Sequence, residues 1–343
     1  VDTLNFWNGG VHYASNLVVE FTADINAILS EDRYEFANNE MKINAIPLSL
    51  NGWVQMPDDE IEMDLTLNTE QVDFKSLLSL IPAIYTNSFA GVKADGKVTV
   101  SGFVKGKYEG ESYPAFDLQL GVENGKFQYP DLPKSVDNIQ IAGHITNPGG
   151  SLDNTTVDLS KLNFRMGGNP FTSQLRIVNP VSDPDFNVKA QGKMNLALIK
   201  DVYPLEKGTE LNGLLDMDVN AAGRMSYVEE NRYESFRFGG TLNVKDVLLK
   251  MKDLGQDVAV MNANLLFNDR YLNLTGISLK IGRNDLSANG KVENYLAYVL
   301  RDKTLKGDFN VNSTYLNITD FMGNEEEEND TSSMQIIKIP KNL

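Results

Sequence analysis

Side chains that could catalyse a reaction or bind a metal are sparse in this sequence. The 343 residues include no cysteine and only two histidines, His12 and His144. Neither histidine has a second histidine at the spacing that zinc sites use, so we predict a structural role for both. The lack of cysteine excludes disulfides and thiolate catalysis, and it fits either a reducing compartment or an envelope protein that is stable without disulfides.

The remaining patterns that suggest chemistry are incomplete. The acidic clusters at residues 58–60 and 183–185 lack the alternating ligands and the glycine of an EF-hand loop, which favours turns over calcium sites. The segment from Gly91 to Lys97 resembles a P-loop, but Val98 replaces the required Ser or Thr and a strand-like stretch follows. A carboxylate pair for glycoside hydrolysis is defined only in space, and the 47 acidic residues do not mark one. We therefore predict that the protein is not an enzyme and uses no metal or cofactor.

Charge excludes one class of partner. The formal net charge is −16, so the chain has no cationic surplus with which to displace the counterions of a nucleic acid. Attraction to an anionic membrane surface is excluded for the same reason. We interpret the charge as a source of solubility.

Alternation of apolar and polar residues dominates the chain and predicts antiparallel sheets with one apolar and one solvated face. Four clear examples are Ile61–Leu67, Phe116–Val122, Leu215–Val219 and Leu305–Val311. The side chains predicted to point inward, and so to line an apolar surface, are Met63, Leu65, Leu118, Leu120, Met217, Val219, Phe309 and Val311. Those predicted to face water are Asp64, Gln119, Asp216, Asp218, Asp308 and Asn310.

Helical spacing of apolar residues occurs at three places, Val72–Pro82, Leu196–Pro204 and Leu316–Met322. Two of these segments end at a proline, which cannot continue a helix. They recur about once every 120 residues, and we expect each short helix to cover an end or an edge of the apolar face.

A long internal repeat is visible in the sequence itself. The segment Leu48–Val54 returns as Leu286–Val292, at an offset of 286 − 48 = 238 residues. About half that offset relates Val122–Leu132 to Val244–Leu254. Such a period is typical of modular proteins whose units share a continuous core, and not of a globule built around one cleft.

From the repeat we predict a continuous β-repeat body over residues 1–323, with a period of about 120 residues. Its helix-bearing units lie near 16–85, 136–205 and 258–323. Residues 324–333 contain a run of like charge followed by small polar residues, which predicts a disordered acidic linker. Residues 334–343 resume a strand-like pattern that we interpret as the truncated start of a further strand.

No stretch approaches the roughly 18 apolar residues of a membrane span. The chain begins at Val1 without a basic and apolar leader, so we expect a processed or truncated product.

Three segments carry a family resemblance, namely Tyr271–Leu279, Leu286–Val292 and Asp308–Met322. They resemble the AsmA-like family of bacterial envelope proteins, in particular the AsmA-like regions of Bacteroidetes. The tail Ile336–Leu343 also resembles the strand with which the family returns to the sheet after an acidic linker. The pattern covers most of the chain, although the family's amino-terminal membrane helix is missing.

The resemblance implies a periplasmic protein, tethered to the inner membrane through that missing helix, whose long sheets curl into a taco-like groove. It implies phospholipid or other acyl chains as ligands, and a part in phospholipid transport or outer-membrane homeostasis. The family in turn resembles the eukaryotic bridge-like lipid transfer proteins.

Physical reasoning leaves an alternative open, because an apolar sheet face has to be covered in some way. A sheet that curls without closing leaves an apolar channel for lipid, whereas a closed sandwich with the same alternation would be a structural or adhesive β-repeat module. A carbohydrate-binding or hydrolytic β-protein is a third hypothesis. It would favour clustered aromatic residues, but Trp7, Trp53 and the 13 tyrosines are scattered.

Overall fold

The computed structural model describes residues 4–8, 11–44, 46–57, 60–69, 72–78, 92–130, 132–202, 210–250, 257–301 and 303–321. The predicted acidic linker 324–333 and the predicted strand 334–343 lie outside these residues, as do Asp58, Asp59 and Gly91.

The fold is mainly β, as the alternation predicts. The described strands are β1 (Leu4–Asn8), β2 (Val11–Leu17), β3 (Val19–Ile28), β4 (Arg33–Ile43), β5 (Ile46–Gln55), β6 (Ile61–Asn68), β7 (Val72–Asp73), β8 (Lys93–Tyr108), β9 (Ala115–Gln128), β10 (Val136–Asn147), β11 (Thr156–Met166), β12 (Asn169–Val178), β13 (Asp185–Asn195), β14 (Glu210–Arg224), β15 (Arg237–Lys250), β16 (Val258–Phe267), β17 (Tyr271–Ile281), β18 (Asn284–Glu293) and β19 (Lys306–Asn312). The long β8 contains Val98–Val100, the stretch after the P-loop-like segment that was predicted to be a strand.

Helices in the described residues are short. The α-helices are α1 (Phe74–Leu78), α2 (Ile199–Val202), α3 (Ser226–Glu229) and α4 (Tyr295–Arg301), and the 3₁₀ helices are Leu152–Asn154, Leu196–Leu198, Tyr233–Ser235 and Ile318–Phe321. Helix is present at all three predicted places, within Val72–Pro82, Leu196–Pro204 and Leu316–Met322. Helices α3 and α4 were not predicted from the sequence.

The chain divides into two compact units. Unit 1 comprises residues 1–190 and 201–204, and unit 2 comprises 191–200 and 205–343. Unit 1 contains an antiparallel sheet in the order β3-β4-β5-β6-β8-β9-β10-β11-β12, with β7 paired to β8 next to helix α1. Unit 2 contains the antiparallel order β14-β15-β16-β17-β18-β19.

Tight turns make this meander possible. Between β11 and β12, Gly167 and Gly168 form a two-residue loop with φ of 57° and 85°. Two successive positive φ values belong to the type I′ turn, whose twist matches that of a β-hairpin, and glycine adopts them without steric cost.

The strand register repeats along the chain. Tyr34 pairs with Val54 in unit 1, and the residues 238 positions later, Leu272 and Val292, pair in unit 2. On the next strand pair, Gly52 lies opposite Leu65, and Gly290 lies opposite Phe309. Each of these strand pairs is followed by a short helix, which begins at Phe74 in one case and at Ile318 in the other.

The shorter offset has its own structural counterpart. Strands β9 and β15 both contain 14 residues, and Val122 pairs with Ile141 as Val244 pairs with Ala263, 122 positions later. The weak sequence similarity between these segments therefore corresponds to the same register in β9–β10 and in β15–β16.

Candidate functional site

The apolar face of the unit 1 sheet carries a row of cross-strand positions that spans seven strands, six with an apolar side chain and one with glycine, which we call the middle row. It is formed by cross-strand partners Leu50, Leu67, Gly102, Leu118, Ile145, Val157 and Ile177. Neighbouring strands lie about 4.8 Å apart, so the row extends about 29 Å along its path over the strands. All seven residues are half-buried, so none of them reaches full burial in this unit.

One end of the same face is closed by helix α1. There Val72 and Phe74 pack with Val98 and Val122 in the buried cluster of unit 1, and Val98 has no exposed surface. Two residues further along β8 and β9, Val100 and Leu120 are already half-buried. The short helix thus covers one end of the apolar face, as expected from its apolar spacing, and the residues two positions away from it are less buried.

Glycines lie opposite many of the predicted lining residues. In unit 1, Leu65 faces Gly52, Met63 faces Gly106, Leu118 faces Gly102 and Leu120 faces Gly143. In unit 2, Val219 faces Gly240 and Phe309 faces Gly290. Glycine inside a strand marks a bend or a close backbone approach, and such bends give a sheet its curvature.

Backbone geometry explains why these positions are glycine. A Cβ atom on Gly52 would lie 1.9 Å from the carbonyl oxygen of Asp64, and one on Gly240 would lie 2.0 Å from that of Asp218. The φ angles of Gly52 and Gly240 are 125° and 136°, a region that other residues rarely adopt. The same clash would arise at Gly102 and Gly290, where the obstructing atoms are the carbonyl oxygens of Asp117 and Asp308.

The opposite, solvated face carries ion pairs between neighbouring strands. Lys105 Nζ lies 2.7 Å from Asp64 Oδ2, and Lys107 Nζ lies 2.9 Å from Glu60 Oε2. Hydrogen bonding to Glu60 and the charge of that residue raise the pKa of Lys107 above its usual value. His144, one of the two histidines, places Nε2 2.7 Å from Asp117 Oδ2 on the adjacent strand. Side chains of this face therefore serve cross-strand pairing.

Unit 2 has its own apolar row, which we call the unit 2 row. It consists of cross-strand partners on six strands, and all except Phe309 are half-buried: Met217, Leu242, Leu265, Leu274, Gly290 and Phe309.

Aromatic rings cover one end of the unit 2 face. The ring centroids of Phe238 and Phe267 are 5.5 Å apart, and Tyr295 of α4 lies 6.0 Å from Phe238. The Tyr295 hydroxyl donates a 2.6 Å hydrogen bond to the Asn268 carbonyl, and burial raises the pKa of Tyr295. A short helix again closes an end of the face.

The residues predicted to line the apolar surface fall into two groups. Six are half-buried, namely Met63, Leu65, Leu118 and Leu120 in unit 1 and Met217 and Val219 in unit 2. The other two, Phe309 and Val311, are exposed on β19. Their common role as a ligand-binding surface stays a prediction. The glycines opposite them were missed, although Gly52, Gly102, Gly240 and Gly290 are visible in the sequence as glycines inside alternating segments.

The described residues offer little support for other kinds of site. They contain no group of three or more His, Asp or Glu side chains placed to hold a metal ion. A cavity of about 420 Å³ on the solvated face of unit 1 is lined mainly by polar residues such as Lys97, Gln140 and Lys161, with no aromatic ring among its lining residues. Ligand pockets are usually apolar and aromatic, so this cavity does not favour a carbohydrate site.

No helix in the described part of the chain is long and apolar enough to cross a membrane. The comparisons with known proteins give no assignment: no family model, curated protein or solved structure matches the chain.

Proposed function

We propose that this protein binds lipid acyl chains along the apolar faces of its sheets, as a non-enzymatic component of a bacterial envelope. The proposal includes the AsmA-like assignment, a periplasmic location with a tether to the inner membrane, and a part in phospholipid transport or outer-membrane homeostasis. The observation that carries it is the middle row, which crosses seven strands and presents apolar side chains from six of them, with Gly102 on the seventh, as a surface that is only half-buried.

The dimensions of the middle row suit an acyl chain. The row extends about 29 Å across the strands, and one leaflet of a bilayer core is about 15 Å thick. An acyl chain therefore fits within a row without reaching a polar side chain. Shielding each methylene from water is worth about 0.8 kcal/mol, so a long chain would be held by an energy on the order of 10 kcal/mol.

The glycines support a curved apolar face. Gly52 and Gly102 bring neighbouring backbones close together opposite large apolar side chains in unit 1. Glycine kinks are a means by which sheets acquire curvature, and a concave apolar face would shield an acyl chain better than a flat one.

Half-burial distinguishes this proposal from a packed sandwich. In a sandwich, the inner faces of two sheets interdigitate at the density of a protein core, and inward side chains are fully buried. In unit 1, full burial is concentrated near α1, at residues such as Val98 and Val122, and it does not extend to Leu118 or Leu50.

The test compares charged substitutions on the two faces of β9 in the full chain. Leu118→Asp and Leu120→Asp place a carboxylate in the apolar rows, and Gln119→Asp places the same group on the solvated face between them. We expect all three variants to fold with similar melting temperatures. We expect the two leucine variants to bind a fluorescent phosphatidylethanolamine several-fold more weakly than the wild type, while Gln119→Asp binds it normally.

Two results would contradict the proposal. Unfolding of both leucine variants while Gln119→Asp stays folded would indicate a packed core, because a buried unpaired charge is strongly destabilising. A folded wild-type protein that binds no phospholipid and contains none by native mass spectrometry would refute lipid binding itself.

A further inference from the structure

The exposed surface around β19 in unit 2 is the counterpart of a covered surface in unit 1. Among the described residues of unit 2, the strand hydrogen-bonded to β19 is β18, and all seven residues of β19 are exposed. Its counterpart β6 pairs with β5 and also with β8, and its apolar residues are half-buried.

The helix that follows each strand shows the same contrast. Val72 and Phe74 are 9% and 5% exposed, because β7 and α1 pack against β8. The residues 244 positions later, Leu316 and Ile318, are 49% and 48% exposed. The two surfaces thus share their register and apolar character, and in the described part of the chain they differ in whether a strand covers them.

We propose that the exposed side of β19, together with the neighbouring Leu316 and Ile318, forms a docking site for an extended polypeptide strand that pairs antiparallel with β19, as β8 pairs with β6. We call this surface, β19 with Leu316 and Ile318, the β19 edge. Strand addition of this kind derives its affinity from main-chain hydrogen bonds and its specificity from alternate side chains. The inference does not rest on lipid binding, since its ligand is a peptide that pairs with the main chain of β19, although the side chains of Phe309 and Val311 also belong to the apolar face of unit 2.

The counterpart in unit 1 specifies the chemistry of the docked strand. Asp64 on β6 pairs with Lys105 on β8, so a cation is expected opposite Asp308. Val104 lies opposite Leu65 and Gly102 opposite Leu67, so small or β-branched residues are expected opposite Phe309 and Val311. Glu62 on β6 lies opposite Lys107 on β8. The residue of β19 that corresponds to Glu62 is Lys306, so an acidic residue of the docked strand is expected opposite Lys306.

The probe is a labelled peptide with the sequence of residues 97–108 of this chain, the part of β8 that pairs with β6 and β7. We expect saturable binding to the full chain by fluorescence anisotropy, and no binding of a scrambled peptide. The same peptide carrying Lys107→Glu should bind about threefold more tightly, because an opposite-charge pair replaces a like-charge pair at Lys306.

The matched protein variants lie on β19. Val311 is 58% exposed, so Val311→Asp should leave the fold intact. It should lower the affinity for the peptide by about tenfold, because the docked strand would desolvate the new carboxylate. Asn310→Asp adds the same charge to the opposite face of the strand and should change the affinity less than about twofold.

Three outcomes would overturn the proposal. One is the absence of saturable binding by either peptide to a folded chain. Another is equal binding to the wild type and Val311→Asp, which would place the peptide elsewhere. The third is a dimer in light scattering that Val311→Asp dissociates, which would assign the edge to a second copy of the chain.

Discussion

The guanidinium of Arg33 lies over the indole ring of Trp53, with Cζ 4.2 Å from the ring centroid. At the positions 238 residues later, Lys291 places Nζ 4.5 Å from the centroid of the Tyr271 ring. Position 33 corresponds to 271 and position 53 to 291, so the cation and the ring have exchanged strands while the cross-strand contact is kept. A cation–π contact needs one cation and one aromatic ring, and either strand can supply either partner.

The pairing of glycine with a large apolar residue is exchanged in the same way. Gly102 on β8 faces Leu118 on β9, whereas Val219 on β14 faces Gly240 on β15. In both pairs the two backbones approach closely, so one of the two facing residues must lack a side chain. Either strand can provide that glycine. Repetition in this chain therefore preserves pairs more than it preserves single residues.

We expect Gly52→Ala to destabilise the protein by about 3 kcal/mol, because the added methyl group meets the Asp64 backbone and the positive φ disfavours alanine. The matched control is Gly276→Ala, where a Cβ atom meets nothing within 4 Å. Urea denaturation followed by circular dichroism measures both variants. Equal stability of the two would show that the close approach at Gly52 relaxes readily and does not constrain the sheet.

Phe74→Ala should reduce stability by about 3–5 kcal/mol, because it leaves a cavity where α1 closes the apolar face. Ile318→Ala, at the counterpart position on the exposed side, should cost less than about 1 kcal/mol. Denaturant midpoints of each variant, compared with the wild type, measure the loss of stability caused by each substitution. A large loss for Ile318→Ala would mean that the surface around β19 is covered in solution.

Asn284→Ala should destabilise unit 2 by about 1–3 kcal/mol, because it removes a fully buried amide and leaves its partners unsatisfied. Asn284 has no exposed surface, its side chain donates a 3.0 Å hydrogen bond to Asp320 Oδ2, and its Oδ1 accepts a 2.5 Å hydrogen bond from the backbone N–H of Asn317. Asn289→Ala, on the exposed face of the same strand, is the control and should change stability by less than about 0.5 kcal/mol. Thermal denaturation measures the melting temperatures of both variants. Equal melting temperatures would contradict this expectation.

The segment after β19 should weaken in acid through Asp285. The pKa of Asp285 is lowered by hydrogen bonds from the backbone and hydroxyl of Thr314, with a further bond from the Tyr315 amide. A carboxyl group whose pKa is lower in the folded state stabilises the fold above the unfolded-state pKa of about 3.9, and this contribution is lost as the pH falls through the folded-state pKa. The Asp285→Asn variant should therefore lose less stability than the wild type when the pH falls from neutral to about 2. The urea midpoints of both proteins at the two pH values measure this loss. A pH dependence identical in the two proteins would exclude Asp285 as a contributor.

Much of the fold could be predicted because strand geometry is local. A period of two places alternate side chains on opposite faces, so Leu118 and Leu120 were assigned to one face and Gln119 to the other without knowledge of the partners. The register of β5 with β6 was beyond prediction, since alternation is compatible with several pairings that differ by two residues.

The spacing of neighbouring residues is sufficient to predict the mainly β fold, the apolar and solvated faces and three of the helix positions. How deeply each apolar residue is buried depends instead on tertiary packing. Val98 and Val104 occupy the same face of β8, yet Val98 is fully buried and Val104 half-buried. Their difference arises because β7 and α1 pack over Val98, and packing between segments distant along the chain is not encoded in the alternation of either one.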